Sequence, residues 1–343
     1  MSLLKGIYYN ICSLFPTQVL QQLSGSSTLF PYHHIVSDED VKHIKHLYEY
    51  KNVIQFTADL DYLLRYYKPV AVSDIVQSIS SKKKLPTNTF LLTFDDGFRE
   101  VSDVIAPILL KKGIPAVFFI NPGFLDNKEL FYRCKISLII EAIAGRKNDP
   151  GILKECNIIL KKKFESSQQL IAYLRSIMDE NQIVLNELAE KLDITFDEYL
   201  KNNLPYLTST HIKELSNSGF TIGSHGWDHP YYKFLSLDEQ KMQTIQSAEY
   251  VKNNFHPSYN LFSFPHMDTE VSQDFFDDMA LEYPNIDAFF GVQNQKFELQ
   301  NKMLHRFNAE RPHLPMNKQL NGIIMLILFQ RLFKKQNVKR KYA

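Results

Sequence analysis

Two acidic residues stand side by side where an apolar run ends. Asp95 and Asp96 directly follow residues 89–94 (TFLLTF) and directly precede Gly97. Adjacent carboxylates repel each other and raise each other's pKa, so a chain holds both charges near its interior only beside a cation. A divalent metal ion would meet this need, because one aspartate can bind the ion while its neighbour is kept for proton transfer. The alternative is an acidic turn that closes a strand in contact with water.

Two histidines four residues apart form the second group with chemical potential. His225 and His229 occur in the stretch GSHGWDHP, where glycines and a proline disfavour a helix and indicate a loop after a strand. Two neutral imidazoles and one carboxylate, with a fourth position for water, are the ligands of a hydrolytic zinc site. The pair therefore indicates a metal site, although histidines more often serve as hydrogen-bonded surface or core groups.

Strand-length apolar runs alternate with helical patterns along the chain. This alternation predicts an α/β fold with a parallel sheet, either doubly wound or closed into a (β/α) barrel. The runs are residues 29–34, 69–72, 89–94, 115–121, 220–225, 261–265, 287–292 and 303–308, and amphipathic helices are expected over 56–66 and 238–255. The acidic pair and the histidine pair each follow one of these runs. Because catalytic groups collect at the carboxyl ends of parallel strands, we expect the two pairs to meet.

The strand pattern is interrupted between residues 123 and 207. This part is helical and charged, and no linker composition separates it from the flanking runs, so we interpret it as a helical insertion on one loop. We predict one domain over residues 1–320, followed by a C-terminal helix and basic tail over residues 321–343. The apolar stretch 323–329 and the cations behind it fit peripheral contact with an anionic membrane, or packing of the helix on the domain with a solvated tail.

Composition narrows the class of partner and the compartment. The chain has 343 residues with 39 Lys and Arg against 38 Asp and Glu, so net charge gives no reason to expect nucleic acid. Its three cysteines, at positions 12, 134 and 156, have no CxxC spacing, which suits a reducing compartment. The first residues lack the cleavage-site pattern of a signal peptide. The expected location is the cytoplasm, with peripheral contact to the inner membrane face as an option.

Two of these motifs resemble those of a known protein family. TFDDG at 93–97 and SHGWDHP at 224–230 are similar to the two metal motifs of the polysaccharide deacetylases, the NodB-like group of carbohydrate esterase family 4. The resemblance extends over about residues 31–310, and PYHHIVSD near the start is similar to bacterial members associated with surface-polysaccharide synthesis. It implies a distorted (β/α) barrel with fewer than eight strands.

The resemblance also implies roles for individual residues. Asp95 would be the general base, while Asp96, His225 and His229 would hold a divalent metal, with zinc expected first and cobalt, nickel or iron as alternatives. The backbone N–H of the residue after the third-motif proline would stabilise an oxyanion. These two positions are Pro265 and His266, which we also expect to contact substrate. The general acid of the last motif would be His305.

The third motif departs from the family pattern. The chain has SFPHM, so Ser263 stands where the family has an arginine that orients the base. We hypothesise that Arg306 takes that role from a neighbouring strand. His33 and Trp227 are further candidates to contact the sugar. For His33 the competing role is structural, because successive strand side chains point to opposite faces, and for Trp227 it is core packing.

The expected function is metal-dependent hydrolysis of an N-acetyl group on an amino sugar of a surface glycan or its precursor. The same metal and base would serve another amide or an O-acetyl ester, so these substrates remain alternatives. A non-catalytic glycan-binding protein that retains the metal for structure is a third alternative. It would close the metal site with a fourth protein ligand such as His266.

Overall fold

Parallel strands form the centre of the molecule. The structure, a computed structural model of the chain, describes residues 3–25, 28–146, 150–178, 182–335 and 337–342. Its strands are β1 Pro31–His33, β2 Lys68–Pro69, β3 Thr89–Phe90, β4 Leu92–Phe94, β5 Ala116–Ile120, β6 Thr221–Ser224, β7 Leu261–Ser263, β8 Ala288–Gly291, β9 Phe297–Glu298, β10 Met303–His305 and β11 Phe307–Asn308. Nine of these strands form one sheet in the order β11-β1-β4-β5-β6-β7-β8-β10-β9. Its neighbours are parallel except for β9 and β10.

A divided strand closes this sheet on itself. β10 pairs with β8 at one edge and β11 pairs with β1 at the other, yet only Arg306 separates β10 from β11 in the chain. The Arg306 N–H donates to the Gly291 carbonyl at 2.8 Å, and the next N–H, of Phe307, donates to Phe30 at 3.0 Å. We call residues 303–308 the seam. Six strands and the seam surround the lumen, so the predicted distorted (β/α) barrel is confirmed, with fewer than the eight strands of the standard barrel.

Alternation along the strands separates two apolar layers. On β5, Val117 and Phe119 belong to a cluster inside the barrel, while Phe118 and Ile120 belong to the layer under the helices. The Phe119 ring lies 5.2 Å from that of Phe290 across the lumen. Both faces of β5 are buried, as expected for a parallel sheet covered by helices. One predicted run is wrong as a barrel strand, because residues 68–69 pair only with β3 in a separate two-stranded sheet and a helix begins at 72.

Helices surround the barrel. They are α1 Leu3–Cys12, α2 Thr17–Ser24, α3 Val53–Tyr66, α4 Val72–Ser80, α5 Ala106–Lys112, α6 Tyr132–Gly145, α7 Pro150–Ile159, α8 Ser167–Ser176, α9 Gln182–Lys191, α10 Phe196–Asn203, α11 Ser209–Asn217, α12 Leu237–Phe255, α13 Gln273–Glu282 and α14 Met316–Leu332. The amphipathic stretches 56–66 and 238–255 fall within α3 and α12. Both helices begin with a capping box, at Asn52 and Ser236, which satisfies their first backbone N–H groups. In the described part of the chain no helix has both the length and the apolar character needed to cross a membrane.

The helical insertion lies against the barrel mouth. Helices α6 to α10 share one apolar cluster, and this cluster also contains Ile35, Ile44 and Phe98 from loops of the barrel. The Phe98 ring stacks on Tyr206 with centroids 5.6 Å apart. The insertion therefore packs onto the loops that follow β1 and β4. At the other end of the chain, α14 packs on α1, α2 and α3, and the predicted domain boundary at residue 320 falls inside it.

Candidate metal centre and active site

The acidic pair and the histidine pair meet at the carboxyl ends of the strands. Asp96 follows β4, and His225 follows β6, two strands away. One carboxylate oxygen of Asp96, Oδ1, lies 3.4 Å from Nε2 of His225 and 3.2 Å from Nε2 of His229. All three side chains are buried. The structure thus brings together the three residues that the sequence indicates as metal ligands.

Left-handed backbone aims two of these ligands at the common point. Asp96 has φ of 71° and His229 has φ of 61°, while Gly97 follows Asp96 with φ of 63°. A side-chain-bearing residue pays roughly 1–3 kcal/mol for such a conformation, and the strain persists only where the surroundings impose it. The aspartate itself therefore makes the turn at the strand end, and the glycine continues it.

Neighbouring groups fix the orientation of the two imidazoles. Nδ1 of His225 lies 2.7 Å from the Ser263 carbonyl, which only accepts, so Nδ1 donates there and Nε2 is the ring nitrogen that faces Asp96. The side chain of Asn121 donates to the backbone carbonyl of His225 and holds that loop. His229 packs against the Phe131 ring at 4.7 Å, and burial lowers its pKa, so it is neutral at physiological pH.

The donor set suits a divalent cation. Asp96 Oδ1 is buried and accepts no hydrogen bond, although it lies between two imidazole nitrogens. Buried carboxylate oxygens normally have partners, and a cation would supply one here. Among the described residues, Asp96, His225 and His229 form one of two groups whose ligand atoms are close enough to share an ion. His266 is not a member of this group; its ring stacks on Tyr231 at 3.5 Å and meets the His229 ring edge-on at 4.3 Å.

Arg306 of the seam binds the other aspartate of the acidic pair, Asp95. Arg306 donates from both terminal nitrogens to Asp95, at 2.6 and 2.7 Å, and also to Ser263 Oγ at 2.7 Å and Thr93 Oγ1 at 3.0 Å. Burial alone would raise the pKa of Asp95, but the guanidinium outweighs it and the pKa lies below its ordinary value. Asp95 is therefore a carboxylate, and its Oδ2 lies 3.9 Å from Nε2 of His225. Arg306 lies where the sequence hypothesis requires it.

A cavity of about 180 Å³ opens over these groups. Its walls come from the barrel loops and from the start of the insertion. Besides the acidic and histidine pairs, the lining residues include Tyr32, His34, Tyr48, Phe131, Arg133, Tyr231 and His266. The cavity is thus partly aromatic, with charged groups concentrated at its base.

His33 and His34, the adjacent histidines at the end of β1, lie on different sides: His33 is in the core and His34 faces the cavity. His33, predicted to contact substrate, instead stacks on Phe94 at 5.7 Å and meets Phe56 edge-on, away from the lumen. That prediction is wrong, because alternation along β1 turns the neighbouring residue, His34, toward the cavity. Nδ1 of His34 lies 2.7 Å from Glu310. Burial would lower the pKa of His34, but pairing with Glu310 raises it to about 9.

His305 does not reach the cavity, which corrects its predicted position. Its side chain is fully buried, with Nε2 2.7 Å from Glu298 and Nδ1 accepting from the backbone N–H of Gln293. With Asp268 and Glu298 it forms the second group of close ligand atoms. Arg340 of the C-terminal tail donates to both carboxylates at 2.7 to 2.8 Å, so its guanidinium supplies the positive charge there. The expectation of a solvated tail is therefore wrong at Arg340.

Two further predicted substrate contacts lie outside the cavity. Trp227 is half-buried, packs over Gly123 and meets the Tyr250 ring edge-on at 5.6 Å. Pro265 packs against Gly226 and keeps the histidine loop close to β7. His266 does line the cavity.

Sequence reasoning missed several cavity residues. His34 and its partner Glu310 follow β1 and the seam, so a rule that prefers strand ends would find both once the register of β1 is known. Phe131 and Arg133 come from the insertion, and no pattern in the sequence indicates that its first turn forms a cavity wall.

A distorted (β/α) barrel with carboxylates and imidazoles collected at the carboxyl ends of its strands is the arrangement that the resemblance to carbohydrate deacetylases implies. The family model described as polysaccharide deacetylase matches residues 82–157 and 179–278. The chain belongs to this family. A search of curated proteins returned no match.

Solved structures support the fold. A Streptococcus pyogenes deacetylase, PplD, determined in complex with acetate, superposes with a TM-score of 0.55 at 14% identity, covering 86% of this chain and 97% of that chain. IcaB from Ammonifex degensii gives 0.53 at 15% identity, covering 87% and 98%. A polysaccharide deacetylase from Bacillus cereus gives 0.51 at 12% identity, covering 87% and 69%. At these identities the similarity concerns the fold.

Proposed function

We propose that the protein is a metal-dependent deacetylase that hydrolyses an N-acetyl group on an amino sugar of a surface glycan or its precursor. The observation that carries the proposal is the convergence of Asp96, His225 and His229 at the base of a cavity, with the Asp95 carboxylate beside them. One carboxylate and two imidazoles form an open set of three protein ligands. A divalent cation, zinc in the first instance, would polarise the acetyl carbonyl and lower the pKa of water there.

Asp95 is the general base in this proposal. Arg306 holds the carboxylate in one orientation through two hydrogen bonds and keeps it ionised. Each carboxylate oxygen has a second lone pair, so the carboxylate can still accept a proton from water. Arg306 is a positioning residue, since it acts through Asp95 and does not line the cavity.

His34 is the general acid in this proposal, in place of His305. A sugar amine leaves only if it receives a proton, and the donor must face the cavity and carry that proton at neutral pH. His34 lines the cavity, is held by Glu310 through Nδ1, and has a pKa of about 9. Its Nε2 is then available to protonate the leaving nitrogen. The backbone N–H of His266 remains the proposed oxyanion donor.

The size and walls of the cavity favour one sugar unit. A volume of about 180 Å³ is below the roughly 300–1,000 Å³ of sites for drug-sized ligands, so an acetamido group and part of one ring fill it. Tyr48, Phe131 and Tyr231 offer aromatic surface to the apolar face of that ring. A longer glycan would extend beyond the rim, next to the insertion.

A non-catalytic metal-binding protein is the second candidate, and the position of His266 argues against it. A structural ion would be closed by a fourth protein ligand. His266 contacts the His229 ring at 4.3 Å, but its ring nitrogens are not among the ligand atoms close enough to share an ion.

Acetate release from N-acetylated amino-sugar oligomers tests the proposal. Zinc-loaded protein should release acetate, and chelated protein should not. Asp95→Asn should be inactive while elemental analysis still finds the metal. O-acetylated sugars assayed in parallel separate the amide from the ester alternative. Activity retained in Asp95→Asn would contradict the assigned base.

A further inference from the structure

The outer surface built by α1, α2 and the end of α14, which pack on one another through α14, exposes many apolar side chains. We call it the terminal surface, because it joins the two ends of the chain. Leu4 is 79% exposed and Leu14 is 81% exposed. The other exposed apolar side chains of this surface are Ile7, Ile11, Phe15, Val19, Leu23, Phe329, Leu332 and Phe333. Single exposed apolar side chains are ordinary in monomeric proteins, but this number on neighbouring helices indicates an interaction.

The exposed side chains follow the helical period. Positions 4, 7, 11 and 14 lie three or four residues apart, which places them along one face of α1 and its continuation. An adjacent face holds α1 on the protein, since Tyr8 donates to the Gly322 carbonyl at 2.7 Å and Cys12 is buried. One side of α1 therefore packs on α14, while a second apolar side of the same helix is exposed.

The two chain segments that build the terminal surface carry charge of one sign, and Glu49 and Glu310 lie beside Lys5 at its edge. Residues 1–37 contain no Asp or Glu, and neither do residues 311–343. The exposed cations of the two segments include Lys5, Arg331, Lys334 and Lys335. The whole chain is nearly neutral, so acidic residues are concentrated elsewhere. This arrangement complements an anionic surface.

We propose that the terminal surface docks on an anionic lipid bilayer. Helices that lie in a membrane interface combine an exposed apolar face with flanking Lys and Arg, and basic residues add attraction to anionic headgroups. A second copy of the chain would bring the same cations against each other, so the charge pattern disfavours self-association.

Two successive depressions connect one end of the terminal surface to the metal cavity. Leu4 lines a depression together with Lys5 and Arg311, and these two cations also line the next depression. Tyr48 lines that second depression and the metal cavity as well. The docking proposal does not depend on the proposed function, and its test does not use activity.

Vesicle co-sedimentation of the full-length protein tests the proposal. We expect binding to phosphatidylcholine vesicles that contain phosphatidylglycerol, with weaker binding as salt increases. The double variant Leu4→Glu/Leu14→Glu should bind roughly 100-fold more weakly, since each buried leucine is worth about tenfold or more. Lys334→Gln/Lys335→Gln should lose about fivefold per cation.

A matched control comes from exposed apolar residues elsewhere. Ile54 and Leu281 are 78% and 82% exposed, on α3 and α13. The double variant Ile54→Glu/Leu281→Glu should bind vesicles like the unaltered protein, and thermal unfolding should show that all variants fold. Equal loss in this control, or equal binding to vesicles without phosphatidylglycerol, would overturn the proposal. So would sedimentation that shows a dimer abolished by Leu4→Glu/Leu14→Glu without any vesicle binding.

Discussion

The contact between Arg306 and Asp95 allows a sharp test of how the base is positioned. In Arg306→Lys the positive charge stays, but the fork of two parallel donors is lost. An ammonium group on a shorter side chain reaches at best one of the two carboxylate oxygens that Arg306 now contacts at 2.6 and 2.7 Å. Ser263 and Thr93 lose a donor as well.

The size of the effect follows from these bonds. A hydrogen bond to a charged group contributes about 1.5–3 kcal/mol, and each 1.36 kcal/mol is tenfold in rate. Loss of one such bond to the base predicts a kcat reduced by about 10- to 100-fold. KM should change little, because Arg306 does not line the cavity.

The pH dependence of turnover gives a second readout. Arg306 holds the pKa of Asp95 below its ordinary value, so a weaker partner raises it. The acidic limb of the kcat profile should therefore move to higher pH. The same pairing stabilises the fold above the unfolded-state pKa of the carboxyl, and that stability is lost as pH falls through the folded-state pKa. Acid unfolding of the variant should begin at a higher pH.

Arg340 provides the matched control. It is a buried arginine with hydrogen bonds to Glu298 and Asp268, but it lies outside the cavity. Arg340→Lys should lower the melting temperature while leaving kcat per folded molecule and the acidic limb unchanged. Wild-type kcat in Arg306→Lys, or an equal shift of the acidic limb in Arg340→Lys, would refute the positioning role.

Three further outcomes are expected. Glu310→Gln should move the alkaline limb of the pH profile from about pH 9 toward the ordinary histidine range, because Glu310 raises the pKa of His34; an unchanged limb would exclude His34 as the acid. His229→Ala should lower bound zinc, measured by elemental analysis, together with acetate release, and a full metal content would show that His229 is not a ligand. Gly97→Ala should cost about 1–2 kcal/mol, measured by denaturant unfolding, because Gly97 has φ of 63° and an added Cβ would lie 3.2 Å from Ile120. Unaltered stability there would mean that the turn relaxes.

The metal motifs were readable from the sequence because each depends on a short local pattern. A carboxylate after a buried strand and an imidazole after another meet whenever the strands are parallel and close in the sheet, and β4 and β6 satisfy this. The barrel was predictable for the same reason, since the alternation of strand and helix is local.

The remaining site residues depend on register and long-range closure, which the sequence does not display. A shift of one residue in β1 exchanges His33 for His34 at the cavity. Likewise, successive residues 305 and 306 of the seam point to different places, one to Glu298 and the other to Asp95. The residues around His305 fit the last motif of the family, but in this chain the His305 side chain lies in a buried network with Glu298 and Asp268.

The seam links closure of the barrel to the positioning of Asp95, the proposed base. Arg306 uses its backbone to bond β8 and its side chain to bond Asp95, so opening of the last strand would release both together. Protection of the Arg306 amide against hydrogen exchange then measures the fraction of molecules whose base is engaged. A preparation whose circular dichroism shows intact helices, but whose Arg306 amide exchanges rapidly, would therefore appear folded and yet be inactive.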